Sequence, residues 1–174
     1  MSAIIFGEFG ERDLNALKLE TRRKRHIPNS LREEMAPEQL KAVIALDRSL
    51  CPGAELRSIT AKYNCMGMAF ASRRTNIDIR DIDLIFQDDE YARLNSEADA
   101  EVGDIVVYHG PNDKRSHVGV IVELKQGLVD RGGRHRLLKV LSKWGGHGEY
   151  AHMLDQIPPD YGRPAEFWTD RRLL

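Results

Sequence analysis

What this sequence lacks narrows the field first. Cysteine occurs only twice, at Cys51 and Cys65. That is too few for a disulfide scaffold and suits a reducing compartment, with one bridge between the two as the alternative. No apolar run approaches the roughly 18–20 residues of a helical membrane span. The opening MSAIIFGEFGERD brings in Glu and Asp early and has no apolar core of the kind a secretory signal carries. The expectation is a protein made and kept in the cytoplasm, or exported by a route that reads no N-terminal signal. An excess of one charge is missing too. Against 27 Asp and Glu stand 26 Lys and Arg, a formal net charge of −1, which gives no overall pull toward nucleic acid or a membrane surface. Internal repeats and low-complexity tracts are absent. So are HExxH and CxxC pairings. Asp104, His109, Asp113 and His117 lie close in sequence but lack zinc-site spacing, and neither a metal nor another cofactor is expected.

What is present suits one globular domain. A chain of 174 residues, 41% hydrophobic and 30% charged, is long enough to bury a real core. Residues 1–35 read as irregular and charged, with the basic run TRRKRH at 21–26 as a solvated face or a contact for an acidic partner. SLREE, from Ser30, has the Ser-x-x-Glu spacing of a capping box, with Glu33 as the returning acid. APEQLKAVIALDRSLCPG predicts a helix that starts at Pro37 and stops at Pro52-Gly53. Leu40, Val43, Ile44 and Leu50 share one face of it, so it should pack on the main body. A buried helix is expected from Cys65 to about Ser72, and a short one within DIDLIFQDDEYARL, 81–94.

The character then changes. GDIVVYH (103–109), HVGVIVEL (117–124) and LLKVLSKW (137–144) read as strands, joined by the turn clusters GPNDKRS (110–116) and DRGGRHR (130–136). The tail IPPDYGRPAEFW reads as proline-rich and mostly irregular. Helices followed by an antiparallel meander predict an α+β fold, with N-terminal helices packed on a small antiparallel sheet. The expected organisation is a helical or irregular extension over 1–60, a core over 61–155 and a tail over 156–174, all in one unit.

Three stretches carry candidate chemistry. In AKYNCMGMAFAS, Cys65 stands where a helix begins. A thiol is nucleophilic only as thiolate, and the free N–H groups and partial positive charge of a helix start favour that anion. The plain alternative is a buried packing cysteine. His117 opens HVGVIV, where a strand start can hold an imidazole at the sheet rim, and with Cys65 it makes the two partners of a thiolate–imidazolium pair. In LSKWGGHGEY, Ser142 could accept the imidazole N–H while Trp144 shields that bond from water. His147 and Glu149 are rival orienters, and a tight turn anchored by Trp144 is the plain reading.

Taken in order, NCMGMAF, VGDIVVY and HVGVIV resemble the signature of NlpC-like cysteine peptidases, the papain-like fold of bacterial cell-wall endopeptidases and amidases. Asn64, Cys65, Met66 and Gly67 match that family's run of acidic or amide residue, nucleophile, small residue and glycine, with Met66 where a smaller residue is usual. Gly103-Asp104 opens the next strand, and His117-Val118-Gly119 supplies the base. Ser142-Lys143-Trp144-Gly145 is similar to the Asn-Ser-Trp-Gly stretch of papain, although Ser142 stands where an orienting amide or imidazole is usual. The resemblance covers roughly residues 60–150.

The resemblance implies a papain-like, NlpC-type fold and a cysteine hydrolase cutting an amide, peptide or isopeptide bond through a thioester. Cys65 would be nucleophile, His117 base and Ser142 the third residue. The oxyanion would be held by the Cys65 backbone N–H with Tyr63 or Asn64, and Trp144 would lie beside the substrate. The substrate would be a peptide of the cell wall or of a protein. An effector delivered by a secretion machine, a phage-borne lysin or a cytoplasmic protease acting on protein conjugates would each fit the missing signal. From another class comes a non-catalytic binding module on the same fold, using TRRKRH or DRGGRHRLLK (130–139) for contact. No membrane and no nucleic-acid partner is expected.

Overall fold

The structure, a computed structural model, describes residues 16–128 and 134–171. Its elements, in order, are α1 (Pro37–Leu50), β1 (Glu55–Ile59), α2 (Cys65–Phe70), α3 (Ile82–Asp88), β2 (Ala92–Arg93), β3 (Ile105–His109), β4 (Arg115–Leu128), β5 (Arg134–Lys143), β6 (Gly148–Met153) and β7 (Arg163–Thr169). The strands form one seven-stranded sheet in the order β1-β6-β5-β4-β3-β7-β2, and every pairing is antiparallel. The fold is α+β with few helices.

Alternation along the central strands builds two apolar layers, because successive side chains point to opposite faces. Ile105, Val107 and Val118 meet Cys65 and Met66 of α2 and Ile82, Ile85 and Phe86 of α3. On the other face Val106, Tyr108, Ile121, Val140, Trp144 and Tyr150 form the second layer. The register places His117 opposite Tyr108 and Ser142 opposite Gly119, so His117 and Ser142 belong to the second face while Val118 belongs to the first.

The predicted helices at 37–50, 65–70 and 82–88 form, as do the three predicted strands. GPNDKRS is a tight β3–β4 connection with Asn112 and Asp113 at positive φ. Most of DRGGRHR lies outside the described residues, though Leu128↔Arg134 pairs the strands on either side of it.

Three expectations need correction. The Ser30–Glu33 spacing caps no helix: Ser30 instead exchanges both backbone hydrogen bonds with Asn76, and the helix waits for Pro37. The sheet is not small. It recruits β1 from the presumed extension and β7 from the presumed irregular tail, where β7 lies between β3 and β2. Pro164 is tolerated in β7 because it sits at a register shift opposite Val107 and Tyr108, where the ladder is interrupted. Finally, α1 is held less by its apolar face than by a carboxylate. Asp47 is its buried residue, accepting from the Tyr150 hydroxyl at 2.9 Å and facing His147 Nδ1 at 3.1 Å. Leu46 and Leu50 remain about half exposed.

The basic run 21–26 is a turn clamped to the end of α3. Thr21 donates to Asp88 at 2.7 Å, and Arg25 Nε reaches the same carboxylate at 2.5 Å. Arg25 is thus committed within the molecule.

Candidate active site

Asn64 starts α2. Its backbone is extended, at φ −107° and ψ −173°, and Oδ1 accepts the N–H of Gly67 at 2.9 Å and of Ile77 at 3.2 Å. Nδ2 donates to the Ile77 carbonyl at 2.7 Å. The side-chain amide is therefore consumed as a helix cap and a tie to the neighbouring chain. Gly67 is required because a Cβ there would lie 1.7 Å from the Thr75 carbonyl oxygen. This backbone-to-backbone contact seats α2 and fixes Cys65 at its first turn.

Cys65 is 8% exposed and lines a cleft of about 560 Å³ together with His117, Asn64, Gly145 and Tyr161. Pro28, Asn29, Ser30 and Arg32 of the N-terminal segment line it as well. Burial pushes the thiol up from its ordinary range, while the backbone N–H groups of Val118, Met66 and Cys65 itself, and then the Lys143 ammonium, act in the opposite direction. His117 is 1% exposed. Burial, seconded by nearby His152, draws its pKa down to about 3, so its ring is neutral at physiological pH. The ring packs against Tyr161 at 4.3 Å between centroids and against Tyr108 at 5.7 Å. Its Nε2 is buried without a hydrogen-bond partner among the described residues.

No family model, curated protein or solved structure matches this chain.

The structure thus brings Cys65, His117 and Asn64 to one cleft, with the Asn64 amide spent on its cap, and engages Ser142, Trp144 and Tyr63 elsewhere. Ser142 and Trp144 belong to a directed chain on the second face. Trp144 Nε1 donates to Ser142 Oγ at 3.0 Å, and the Ser142 hydroxyl meets His152 Nε2 at 2.8 Å. His152 Nδ1 meets the Met153 carbonyl at 2.8 Å. A carbonyl can only accept, so Nδ1 carries the proton and Nε2 accepts from Ser142. Ser142 therefore orients His152, not His117, and Trp144 stacks on Tyr150 at 4.1 Å, not on substrate. The rival orienters are also engaged. His147 faces Asp47, and Glu149 accepts from Tyr63 at 2.8 Å and from Arg73 Nε at 2.8 Å. Because Tyr63 spends its hydroxyl on Glu149 and Ser58, it is not free to hold an oxyanion.

Two residues for which the sequence implied no role join the site. Lys143 is fully buried; next to Ser142 on β5 and paired with Glu149, it turns its side chain to the face opposite that of Ser142. Nζ donates to the carbonyls of Gly145 at 3.0 Å and His147 at 2.9 Å. Strand alternation was the signal: if Ser142 faces one layer, Lys143 must face the other. Tyr161, in the presumed tail, had no local signal at all. The hypothetical zinc set does not assemble. Asp104 pairs with Arg171 at 2.5 Å and His109 with Glu166 at 2.8 Å; no metal-holding group of three His, Cys, Asp or Glu occurs among the described residues. Nor, among them, is any helix long and apolar enough to cross a membrane.

Proposed function

We propose that the protein is a cysteine hydrolase of the NlpC-like, papain-like kind, acting on an amide, peptide or isopeptide bond. The observation that carries this reading is the convergence of Cys65, at the start of α2, and His117, near the start of β4, on one cleft. In the free protein both groups rest neutral, so catalysis begins as general-base attack and not from a standing ion pair. As the substrate carbonyl approaches, His117 takes the thiol proton and the sulfur forms a bond to the carbonyl carbon. The imidazolium returns that proton to the departing amine, leaving a thioester on Cys65. Water then gives a proton to the neutral imidazole and attacks the thioester, releasing the acid and restoring the thiol. Lys143 holds positive charge near the sulfur while it is anionic.

Acetylation by p-nitrophenyl acetate, followed by peptide mapping, tests this reading. Acetyl is expected on Cys65, with none in Cys65→Ala, an undiminished yield in Cys51→Ala and a slow reaction in His117→Ala. Equal labelling of both cysteines, or none on Cys65, defeats it. That outcome would favour the second reading, a binding module on the same fold, whose supporting observation is that Nε2 of His117 has no hydrogen-bond partner among the described residues. Within the hydrolase reading, release of muropeptides from purified peptidoglycan, read by mass spectrometry, separates a wall enzyme from one that acts on protein conjugates.

A further inference from the structure

Resting on the cysteine-hydrolase reading, we infer that the Tyr161 hydroxyl is the second oxyanion donor, acting beside the backbone N–H of Cys65. The buried tyrosines each spend the hydroxyl within the protein. Tyr63 uses Glu149, Tyr108 the Leu154 carbonyl at 3.1 Å, and Tyr150 Asp47. Tyr161 is only partly buried; it makes no such bond among the described residues, lines the cleft with Cys65 and packs on the base. Its hydroxyl lies over the turn at Gly145, 3.5 Å from where a Cβ would stand there, and Gly145 itself lines the cleft.

This placement is fixed by the backbone on both sides. Ser116, next to His117, donates its hydroxyl to the Tyr161 carbonyl at 2.7 Å, and the Tyr161 N–H donates to Pro158 at 3.0 Å. Gly162 then turns at φ +83°, where a Cβ would overlap the His109 carbonyl oxygen at 1.9 Å. A donor held this way needs no rearrangement as charge develops on the carbonyl oxygen. Burial, with the electrostatic presence of Cys65 and Asp47 behind it, raises the phenol, so it stays protonated and able to donate.

The test sets two electrophiles against the same sulfur. With p-nitrophenyl acetate the sulfur bonds to a carbonyl carbon, the carbonyl electron pair moves to oxygen, and nitrophenolate leaves as the carbonyl re-forms. With iodoacetamide the sulfur displaces iodide from a saturated carbon and no oxyanion arises. In both reactions the thiol proton passes to His117. Tyr161→Phe keeps the ring against His117 and removes only the hydroxyl. The expected result is a loss of about a hundredfold in the acetylation rate at Cys65 with the iodoacetamide rate unchanged. Equal slowing of both reactions, or of neither, overturns the assignment. Failure of the unmodified protein to acetylate at Cys65 would instead defeat the hydrolase reading itself.

Discussion

Lys143 offers a sharp test of the electrostatics around α2. Its ammonium is buried beside the Tyr63 ring, and burial draws its pKa down to about 8 from 10.5, against the opposing pull of Glu149, Cys65, Glu34 and Asp47. A lysine more acidic in the folded than in the unfolded chain penalises folding while it is charged. At about 1.4 kcal/mol for each tenfold change in proton affinity, the penalty is about 3 kcal/mol near pH 7. Between pH 8 and 10.5 the unfolded chain binds more protons than the folded one, so this contribution must rise with pH. Lys143→Met removes it. Packing differences and the two stranded carbonyls at Gly145 and His147 are independent of pH and cancel in the slope. Urea unfolding of both proteins, in a Cys65→Ala background that silences the thiol, should therefore show the lysine protein gaining about 2.5 kcal/mol on the methionine variant from pH 7 to pH 10. A flat or falling difference would refute the buried-ammonium account.

Gly67→Ala should cost about 3 kcal/mol, because the overlap with Thr75 is against backbone and not a side chain that can swing away; thermal unfolding reads the loss, and Cys65 acetylation should fall with it. Ser142→Ala strands the buried Trp144 N–H and His152 Nε2, each worth about 1–3 kcal/mol, yet should leave acetylation by the folded protein unchanged, since Ser142 does not reach His117. Burial works to raise the Glu166 carboxyl, but hydrogen bonds from Arg115, Trp168 and His109 outweigh it and hold the pKa at about 2 against an ordinary 4.5. That stability is complete above 4.5 and is lost as pH falls toward 2, so Glu166→Gln should flatten the acid limb of a stability–pH curve over that range.

Local order was readable where the chain announces it locally. Pro37 and the Pro52-Gly53 stop bracket α1, and the apolar runs of β3, β4 and β5 emerge at their expected places. Cys65 and His117 share a cleft, and both motifs lie on elements whose type the sequence discloses. β1, β6 and β7 were hidden because their charged or proline-bearing patterns become strands only against a partner: Glu55 meets Ala151, and Arg163 meets His109. Ser142 fell on the expected strand, but its hydroxyl goes to a histidine that GEYAHM does not mark as a neighbour. Tyr63 and Tyr161 trade roles for the same reason, since which hydroxyl is left unspent depends on Glu149, 86 residues from Tyr63.

The position of β7 has a bearing on how the molecule comes off the ribosome. β3, buried along nearly its whole length, receives β4 on one side early but must wait for β7 on the other. Until β7 emerges, one flank of β3 offers bare amides to any passing extended chain. The same delay withholds the Tyr161 ring from the cleft, so a nascent polypeptide carries its thiol some time before it carries a finished pocket.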